Sequence, residues 1–135
     1  MTSRSPAGGA ESPLVLIVDD YVQNRKLARD VLQAAGFRTL EAASGTEAIV
    51  LAGAHLPDVI LMDLRLPDMD GTDAARRLGD DAETAAIPVV ALSAAPLAGD
   101  GGRLVGARFA GALQKPIDVG EFPEQVRRYC REWRC

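Results

Sequence analysis

The stretch Leu-Val-Leu-Ile-Val-Asp-Asp at residues 14–20 decides the fold, because a five-residue apolar run ends abruptly at two carboxylates. A continuous apolar run of this length is typical of a strand that is buried on both faces of a parallel sheet. The same pattern returns at residues 59–62, which are followed by Asp63, and at residues 89–92, which are followed by Ser93. The sequence therefore predicts three central strands that all end at polar residues.

Helical patterns separate the predicted strands. Apolar residues recur at helical spacing after Val22 until Gly36 ends the pattern, and Ser44-Gly45-Thr46-Glu47 has the form of a capping box that begins a second helix. Weaker strands are expected at 37–42 and 112–114. Further helices are expected at about 72–78 and over 122–133, and a weak helix is expected from 98–102. This alternation predicts an α/β fold, a doubly wound, five-stranded parallel sheet with helices on both faces.

Composition and charge limit the classes of function that the chain can have. Its 135 residues suit one domain, and the 47% hydrophobic share is enough for a core. The net charge of −4 disfavours a nucleic-acid partner, and the apolar run at 14–18 is too short for a signal peptide or a membrane span. The single histidine excludes a multi-histidine metal site. We expect a cytoplasmic protein with a disordered leader at residues 1–12, a domain at residues 13–135, and neither nucleic-acid nor membrane partners.

Polar side chains collect where the predicted strands end. They are Asp19 and Asp20, then Asp63, Ser93 and Lys115. The carboxyl ends of parallel strands meet at one edge of a sheet, so these groups should converge. Clustered carboxylates repel one another unless cations neutralise them. Lys115 supplies one charge, and oxygen ligands favour Mg²⁺ as the other source. A carboxylate beside Mg²⁺ can attack phosphorus as a nucleophile, which predicts aspartyl-phosphate chemistry.

At these residues the chain resembles the receiver domain of bacterial two-component response regulators. The likeness is carried by Asp19-Asp20, Asp63-Leu64-Arg65-Leu66-Pro67 with Gly71 beyond it, Ser93-Ala94 and Lys115-Pro116. It covers roughly residues 14–133, and the segments 24–27 and 115–118 look especially like single-domain and hybrid-kinase receivers. The resemblance implies a flavodoxin-like sheet of the receiver type.

The resemblance also implies a phosphoacceptor and a metal site. Asp63 would take a phosphoryl group from a phosphohistidine on a sensor histidine kinase or a histidine phosphotransfer protein. Asp20, Asp63 and the backbone carbonyl of Arg65 would bind Mg²⁺ directly, and Asp19 would help through water.

Other matching residues would contact the phosphoryl group or modulate its lifetime. Ser93, the backbone amide of Ala94 and Lys115 would contact it and relay its presence to the surface. Arg65 and Ala95 stand where, in this family, residues flank the path of attacking water. Arg65 would then either shield the acyl phosphate or be an ordinary solvated arginine. In the family, phosphate biases a pre-existing equilibrium between two states.

The chain departs from the family pattern at Ala112, three residues before the lysine. Receivers usually carry a Tyr or Phe there as a rotamer switch. The nearest aromatic, Phe109, is assigned to the end of a preceding helix. We expect the phosphorylation chemistry to persist, while the surface response is either altered or carried by a loop.

The main prediction is a stand-alone receiver that is not an enzyme. It would signal by phosphorylation-dependent binding to an unidentified downstream protein or by phosphorelay transfer, and a homodimer is possible. One alternative is a degenerate receiver that acts as a constitutive interaction module, which the complete acidic site opposes and Ala112 slightly favours. A second is an aspartate-nucleophile phosphohydrolase of the haloacid-dehalogenase type, but that class needs an aspartate where Arg65 stands.

Overall fold

The computed structural model describes residues 12–93 and 109–130, in which strands and helices alternate. The strands are β1 Leu14–Val18, β2 Arg38–Ala42, β3 Val59–Asp63, β4 Val89–Ser93 and β5 Gly111–Gln114. The helices are α1 Val22–Ala34, α2 Gly45–His55, α3 Gly71–Asp80 and α4 Phe122–Tyr129. All strand pairs are parallel, in the order β2-β1-β3-β4-β5. The predicted doubly wound, five-stranded parallel sheet is confirmed.

The central strands are apolar apart from the polar residues that end β3 and β4, as expected for a sheet with helices on both faces. Side chains alternate between the faces along each strand, so β1 contributes to two separate cores. One core lies under α2 and α3 and includes Leu16, Ile60, Met62, Ala48, Ala52, Ala74 and Leu78. The other lies under α1 and α4 and includes Ile17, Leu61, Ala28, Leu32, Phe122 and Val126. This packing fixes the ends of β1, β3 and β4 relative to one another.

The predicted end of α1 and the predicted start of α2 are confirmed by the residues found there. Gly36 follows α1 with a φ of +97°, a conformation that glycine adopts more readily than other residues. The hydroxyl of Ser44 accepts a hydrogen bond from the N–H of Glu47 at 3.1 Å, and the Glu47 carboxylate accepts one from the N–H of Ala43 at 2.8 Å. The capping box thus sets the first turn of α2.

Several predicted segments cannot be compared with the structure. Residues 1–11 of the predicted leader, the weak helix predicted from 98–102 and the helical turn that would contain Trp133 lie outside the described residues. The leader and the domain boundaries at 1–12 and 13–135 remain predictions. Within the described ranges, no helix is long and apolar enough to cross a membrane.

Candidate functional site

The register of the sheet brings the predicted strand-end residues to one edge. Val18 pairs with Met62, so Asp19 follows β1 at the level of Asp63, the last residue of β3. On the other side Asp63 pairs with Leu92, next to Ser93 at the end of β4. The N–H of Lys115 donates to the carbonyl of Ser93 at 2.7 Å, which places the lysine directly after β5. The predicted convergence of these residues is therefore observed.

Three carboxylates form a compact cluster at this edge. Asp19, Asp20 and Asp63 each offer an oxygen, and these three atoms all lie within 4.8 Å of one another. Asp19 is almost fully buried and Asp20 is exposed. Such a cluster is repulsive unless cations lie near it. An oxygen-only donor set that is partly open to solvent fits a hard divalent cation such as Mg²⁺.

Lys115 joins two of these carboxylates. Its Nζ atom lies 3.0 Å from Oδ2 of Asp19 and 3.4 Å from Oδ2 of Asp63. Burial raises the pKa of Asp63 above its usual value, and the negative charge of Asp19 acts in the same direction. Lys115 and the N–H of Arg65 lower the pKa of Asp63 but do not cancel these effects. Among the described contacts three carboxylates share one ammonium group, which leaves the cluster short of positive charge.

A glycine allows the loop after Asp63 to fold back tightly. The N–H of Gly71 donates to the carbonyl of Leu64 at 2.8 Å, and Arg65 and Asp70 form an isolated antiparallel bridge. A Cβ at Gly71 would overlap the carbonyl oxygen of Asp63 and lie 2.9 Å from Cα of Leu64. The sequence prediction quoted Gly71 as part of the motif, and the structure supplies the steric reason for a glycine there.

The same loop is attached to the beginning of α2 through Asp68. Its carboxylate accepts hydrogen bonds from the N–H groups of Gly45 and Thr46 at 2.8 and 2.9 Å. It also accepts one from the Thr46 hydroxyl at 2.5 Å. The bonds from Thr46 and then Gly45 lower the pKa of Asp68 to about 2. Met69 covers Gly45, whose added Cβ would lie 2.5 Å from Cγ of Met69. We call this contact of Asp68 and Met69 with Gly45 and Thr46 the α2 tether.

The loop after β1 is held by its own hydrogen bonds. The N–H of Asp19 donates to the carbonyl of Ala42 at 3.1 Å, and Oδ1 of Asp19 accepts from the N–H of Tyr21 at 2.9 Å. The guanidinium of Arg25 donates to the carbonyl of Asp19 at 2.9 Å. Sequence reasoning assigned no role to Arg25 or to Asp68. In both cases the sequence signal that could have indicated a role was a charged side chain close to a motif at the end of a strand.

The structure describes some of the remaining predicted site residues and not others, and the described ones differ in burial. Ser93 is buried at the end of β4, while the side chain of Arg65 is exposed. Ala94 and Ala95 lie outside the described residues. Ala112 pairs with Ala91 and packs against the core under α2 and α3.

Phe109 corrects one sequence prediction. It was assigned to the end of a helix, but it lies in irregular backbone before β5 and is buried in the core under α2 and α3. Its side chain therefore reaches the same core as Ala112 from a different position along the chain.

An apolar pocket of about 360 Å³ adjoins the carboxylate cluster. Asp19, Asn24 and Lys115 are its polar lining, and the rest is contributed by Ile17, Leu27, Ala28, Leu92, Pro116 and Ile117. The pocket thus extends from the site toward α1 and the segment that follows β5.

Comparisons with known proteins agree with the fold and show the family. A sequence model of the response regulator receiver domain matches residues 15–127. The polar-differentiation response regulator DivK of Brucella ovis is 41% identical over 115 residues, which cover 85% of this chain and 94% of that protein.

Two solved structures are similar over most of the chain. The chemotaxis response regulator CheY4 of Vibrio cholerae has a TM-score of 0.83 and 25% identity, covering 87% of this chain and 98% of that chain. The receiver domain of the sensor histidine kinase PA1611 of Pseudomonas aeruginosa has a TM-score of 0.80 and 30% identity, with coverage of 87% and 97%. The PA1611 structure holds a magnesium ion coordinated in its active-site cleft.

Proposed function

Because the chain belongs to the response regulator receiver domain family, we propose that it is a signalling protein in which Asp63 accepts a phosphoryl group from a phosphohistidine. The observation that carries this proposal is the position of the Asp63 carboxylate. It lies at the carboxyl end of a central strand, beside Asp19 and Asp20 and 3.4 Å from the ammonium group of Lys115. A nucleophile, acidic neighbours and a cation are thus assembled on one edge.

In the proposed reaction an oxygen of Asp63 attacks phosphorus. The new P–O bond forms as the P–N bond to the donor imidazole breaks, and the nitrogen keeps that electron pair. The reaction needs the ionised carboxylate, which burial disfavours by raising the pKa of Asp63. Lys115 opposes this effect and lies where it can also balance the charge of the transferred group.

Mg²⁺ is the proposed cofactor. Asp20 and Asp63 would bind it directly together with the backbone carbonyl of Arg65, and Asp19 would act through water. The clustered oxygens of the three aspartates support this assignment. The bound ion would neutralise charge on the transferring phosphoryl group.

Other residues are proposed to recognise the phosphoryl group. Ser93, buried at the end of β4 beside Asp63, would donate a hydrogen bond to it, and the backbone amide of Ala94 would add a second. Arg65 and Ala95 would affect the lifetime of the acyl phosphate. The side chain of Arg65 is exposed, and its backbone N–H donates to Oδ1 of Asp63 at 3.3 Å. Both observations support its part in this role.

A sensor histidine kinase or a histidine phosphotransfer protein is the proposed phosphodonor. The apolar pocket shares Asp19 and Lys115 with the site, so it lies beside the carboxylate that a donor must reach. The signal would pass to an unidentified downstream protein or onward in a phosphorelay. Neither nucleic-acid nor membrane binding is part of this proposal, and a homodimer is compatible with it. The cytoplasm is the proposed location because phosphohistidine donors are made from ATP there.

A constitutive interaction module is the second candidate function. The small Ala112 at the position of the usual aromatic switch favours it, since alanine has no side-chain rotamer to change. In that case partner binding would not depend on Asp63. The phosphohydrolase alternative needs an aspartate at the position of Arg65, which disfavours it, and the role proposed here is signalling without catalytic turnover.

The test is phosphorylation by acetyl phosphate with Mg²⁺, followed by intact mass spectrometry. We expect wild type to gain one phosphoryl group, and we expect Asp63→Asn or added EDTA to prevent the gain. The matched control is Asp73→Asn, which removes a carboxylate from α3 outside the cluster and should leave the gain unchanged. A wild-type protein that stays unmodified with acetyl phosphate and with a phosphorylated histidine kinase would contradict the proposal.

A further inference from the structure

Asp20 differs from its two neighbours in the way that its side chain is held. Asp19 is engaged by Tyr21 and Lys115, and Asp63 is engaged by Arg65 and Lys115. Within residues 12–93 and 109–130, by contrast, the structure gives the exposed carboxylate of Asp20 no hydrogen bond or ion pair. Its approach to Asp63 therefore depends on the backbone from which it projects and not on a side-chain partner among the described residues.

The backbone before Asp20 is fixed by Arg25. The carbonyl of Asp19 and the N–H of Asp20 belong to one planar peptide unit. Nη1 of Arg25 donates to that carbonyl at 2.9 Å, so the guanidinium holds the plane at one orientation. The orientation of this plane limits the directions in which the Cβ of Asp20 can point.

Arg25 is itself anchored, which makes it suitable for this task. Its Nε atom donates to Oε1 of Glu41 on β2 at 3.1 Å, and its side chain is only 16% exposed. The guanidinium thus joins the loop after β1 to the neighbouring strand with two directed bonds. Glu41 also balances the positive charge of Arg25, so the effect of Arg25 on the cluster is mainly geometric.

We propose that Arg25 is a positioning residue for the metal site, which acts by orienting the Asp19–Asp20 peptide so that the Asp20 carboxylate faces Asp63. This inference rests on the proposed function, because it assumes that the cluster binds a divalent cation. Arg25 would not touch the ion itself. Its loss would weaken binding of the ion without removing a ligand.

Arg29 provides a matched control on the same helix. Its Nη1 atom donates to Oε2 of the same Glu41 at 3.2 Å, but its bonds in the described structure go to Glu41 and Asp30 and not to the Asp19 carbonyl. Arg29→Ala and Arg25→Ala therefore remove the same charge and a bond to the same partner. They differ in whether the Asp19–Asp20 peptide loses its anchor.

The test is isothermal titration of the purified chain with MgCl₂ for wild type and for the three variants Arg25→Ala, Arg25→Lys and Arg29→Ala. We expect Arg25→Ala to weaken Mg²⁺ binding by about 10–100-fold, the range for loss of an outer-shell partner. Arg29→Ala should weaken it by about fivefold or less, as expected for a partly exposed charge. Arg25→Lys keeps the charge but not the planar fork, so most of the loss should remain.

A second readout separates positioning from general damage to the fold. With acetyl phosphate, Arg25→Ala should need more Mg²⁺ to reach its half-maximal phosphorylation rate and should approach the wild-type rate at saturation. Circular dichroism melting checks that each variant is folded. If Arg25→Ala fails to fold, Mg²⁺ binding by Arg25→Lys is compared with that of wild type and Arg29→Ala instead.

The outcomes separate this inference from the proposed function. If wild type binds Mg²⁺ and both alanine variants weaken binding equally, the inference is wrong while the proposed function stands. If Arg25→Lys binds as wild type does, the effect is one of charge and the inference is also wrong. Absence of Mg²⁺ binding by wild type would overturn both.

Discussion

The centre of the sheet and its β5 edge are built in opposite ways. At the centre, Asp19 and Asp63 end or follow strands that are buried on both faces, and each has several hydrogen-bond or ion-pair partners. At the edge, β5 contains Gly111 and Ala112, and only one of its residues, Leu113, is buried. The difference suggests that the site is fixed by packing, while the neighbouring edge presents little side-chain surface.

The two small residues of β5 face opposite sides of the sheet. A Cβ at Gly111 would overlap the ring and hydroxyl of Tyr129 on α4, so this tyrosine covers one side of the strand. On the other side Ala112 packs against the core that also contains Phe109. Aromatic side chains from outside β5 thus reach both cores that flank the strand, which itself carries no large side chain at these two positions.

Gly71→Ala is expected to give the largest effect, because it acts at the centre. The added methyl group would overlap the carbonyl oxygen of Asp63, and backbone atoms cannot move aside as the end of a side chain can. We expect the free energy of unfolding to fall by about 1–3 kcal/mol, as for overpacked sites. The phosphorylation rate should fall with it, since the shift occurs at Asp63. Urea unfolding and the acetyl phosphate assay measure the two effects.

Gly53→Ala is the control for that substitution. Gly53 lies in α2, and a Cβ there meets nothing within 4 Å. Alanine in a helix interior is expected to raise the free energy of unfolding by roughly 0.5–1 kcal/mol relative to glycine. Equal effects of the two substitutions would show that the close approach at Gly71 does not constrain the loop.

Asp68→Ala tests how firmly the α2 tether holds the loop after Asp63. The substitution leaves the N–H groups of Gly45 and Thr46 without their carboxylate, so wild type should be more stable near neutral pH. The folded pKa of about 2 is below the usual 3.8, so the contribution exists above pH 3.8 and is lost as the pH falls toward 2. Melting temperatures of both proteins from pH 7 down to pH 3 check this.

The control for the tether is Asp68→Asn. Asparagine keeps one acceptor oxygen and loses the charge, so its melting temperature should lie between those of wild type and Asp68→Ala at pH 7. A difference between wild type and Asp68→Ala that stays constant from pH 7 to pH 3 would mean that the carboxylate charge does not contribute.

The central part of the molecule could be predicted from the sequence because its signals are local. Uninterrupted apolar runs gave β1, β3 and β4, and their abrupt polar ends gave the positions of Asp19, Asp63 and Ser93. Parallel pairing then requires these ends to meet at one edge, as the carboxylate cluster shows. The roles of the individual residues, in contrast, came from the family resemblance.

The contacts that hold the site were not predictable in the same way. Arg25 bonds to a backbone carbonyl six residues earlier, and Asp68 bonds to backbone N–H groups more than twenty residues earlier. Hydrophobic periodicity carries no information about such bonds, because it reports which residues are buried and not which polar groups meet. Phe109 was misassigned for a related reason, since an apolar residue next to a strand can be buried without belonging to a helix.

Ala112→Tyr is expected to have the smallest effect on the chemistry and therefore gives the sharpest test of the contrast between centre and edge. Ala112 lies on β5, which β4 separates from Asp63 on β3, so the phosphorylation rate should change by about twofold or less. The surface response should change more, because tyrosine adds a side chain with alternative rotamers to a partly exposed position. Hydrogen exchange of β5 and α4, measured before and after phosphorylation, should show a larger difference in the variant than in wild type.

Ala112→Val is the control, since it adds volume without an aromatic ring or hydroxyl. If wild type and both variants respond equally, position 112 does not limit the output, and the signal must leave the site by a route other than β5.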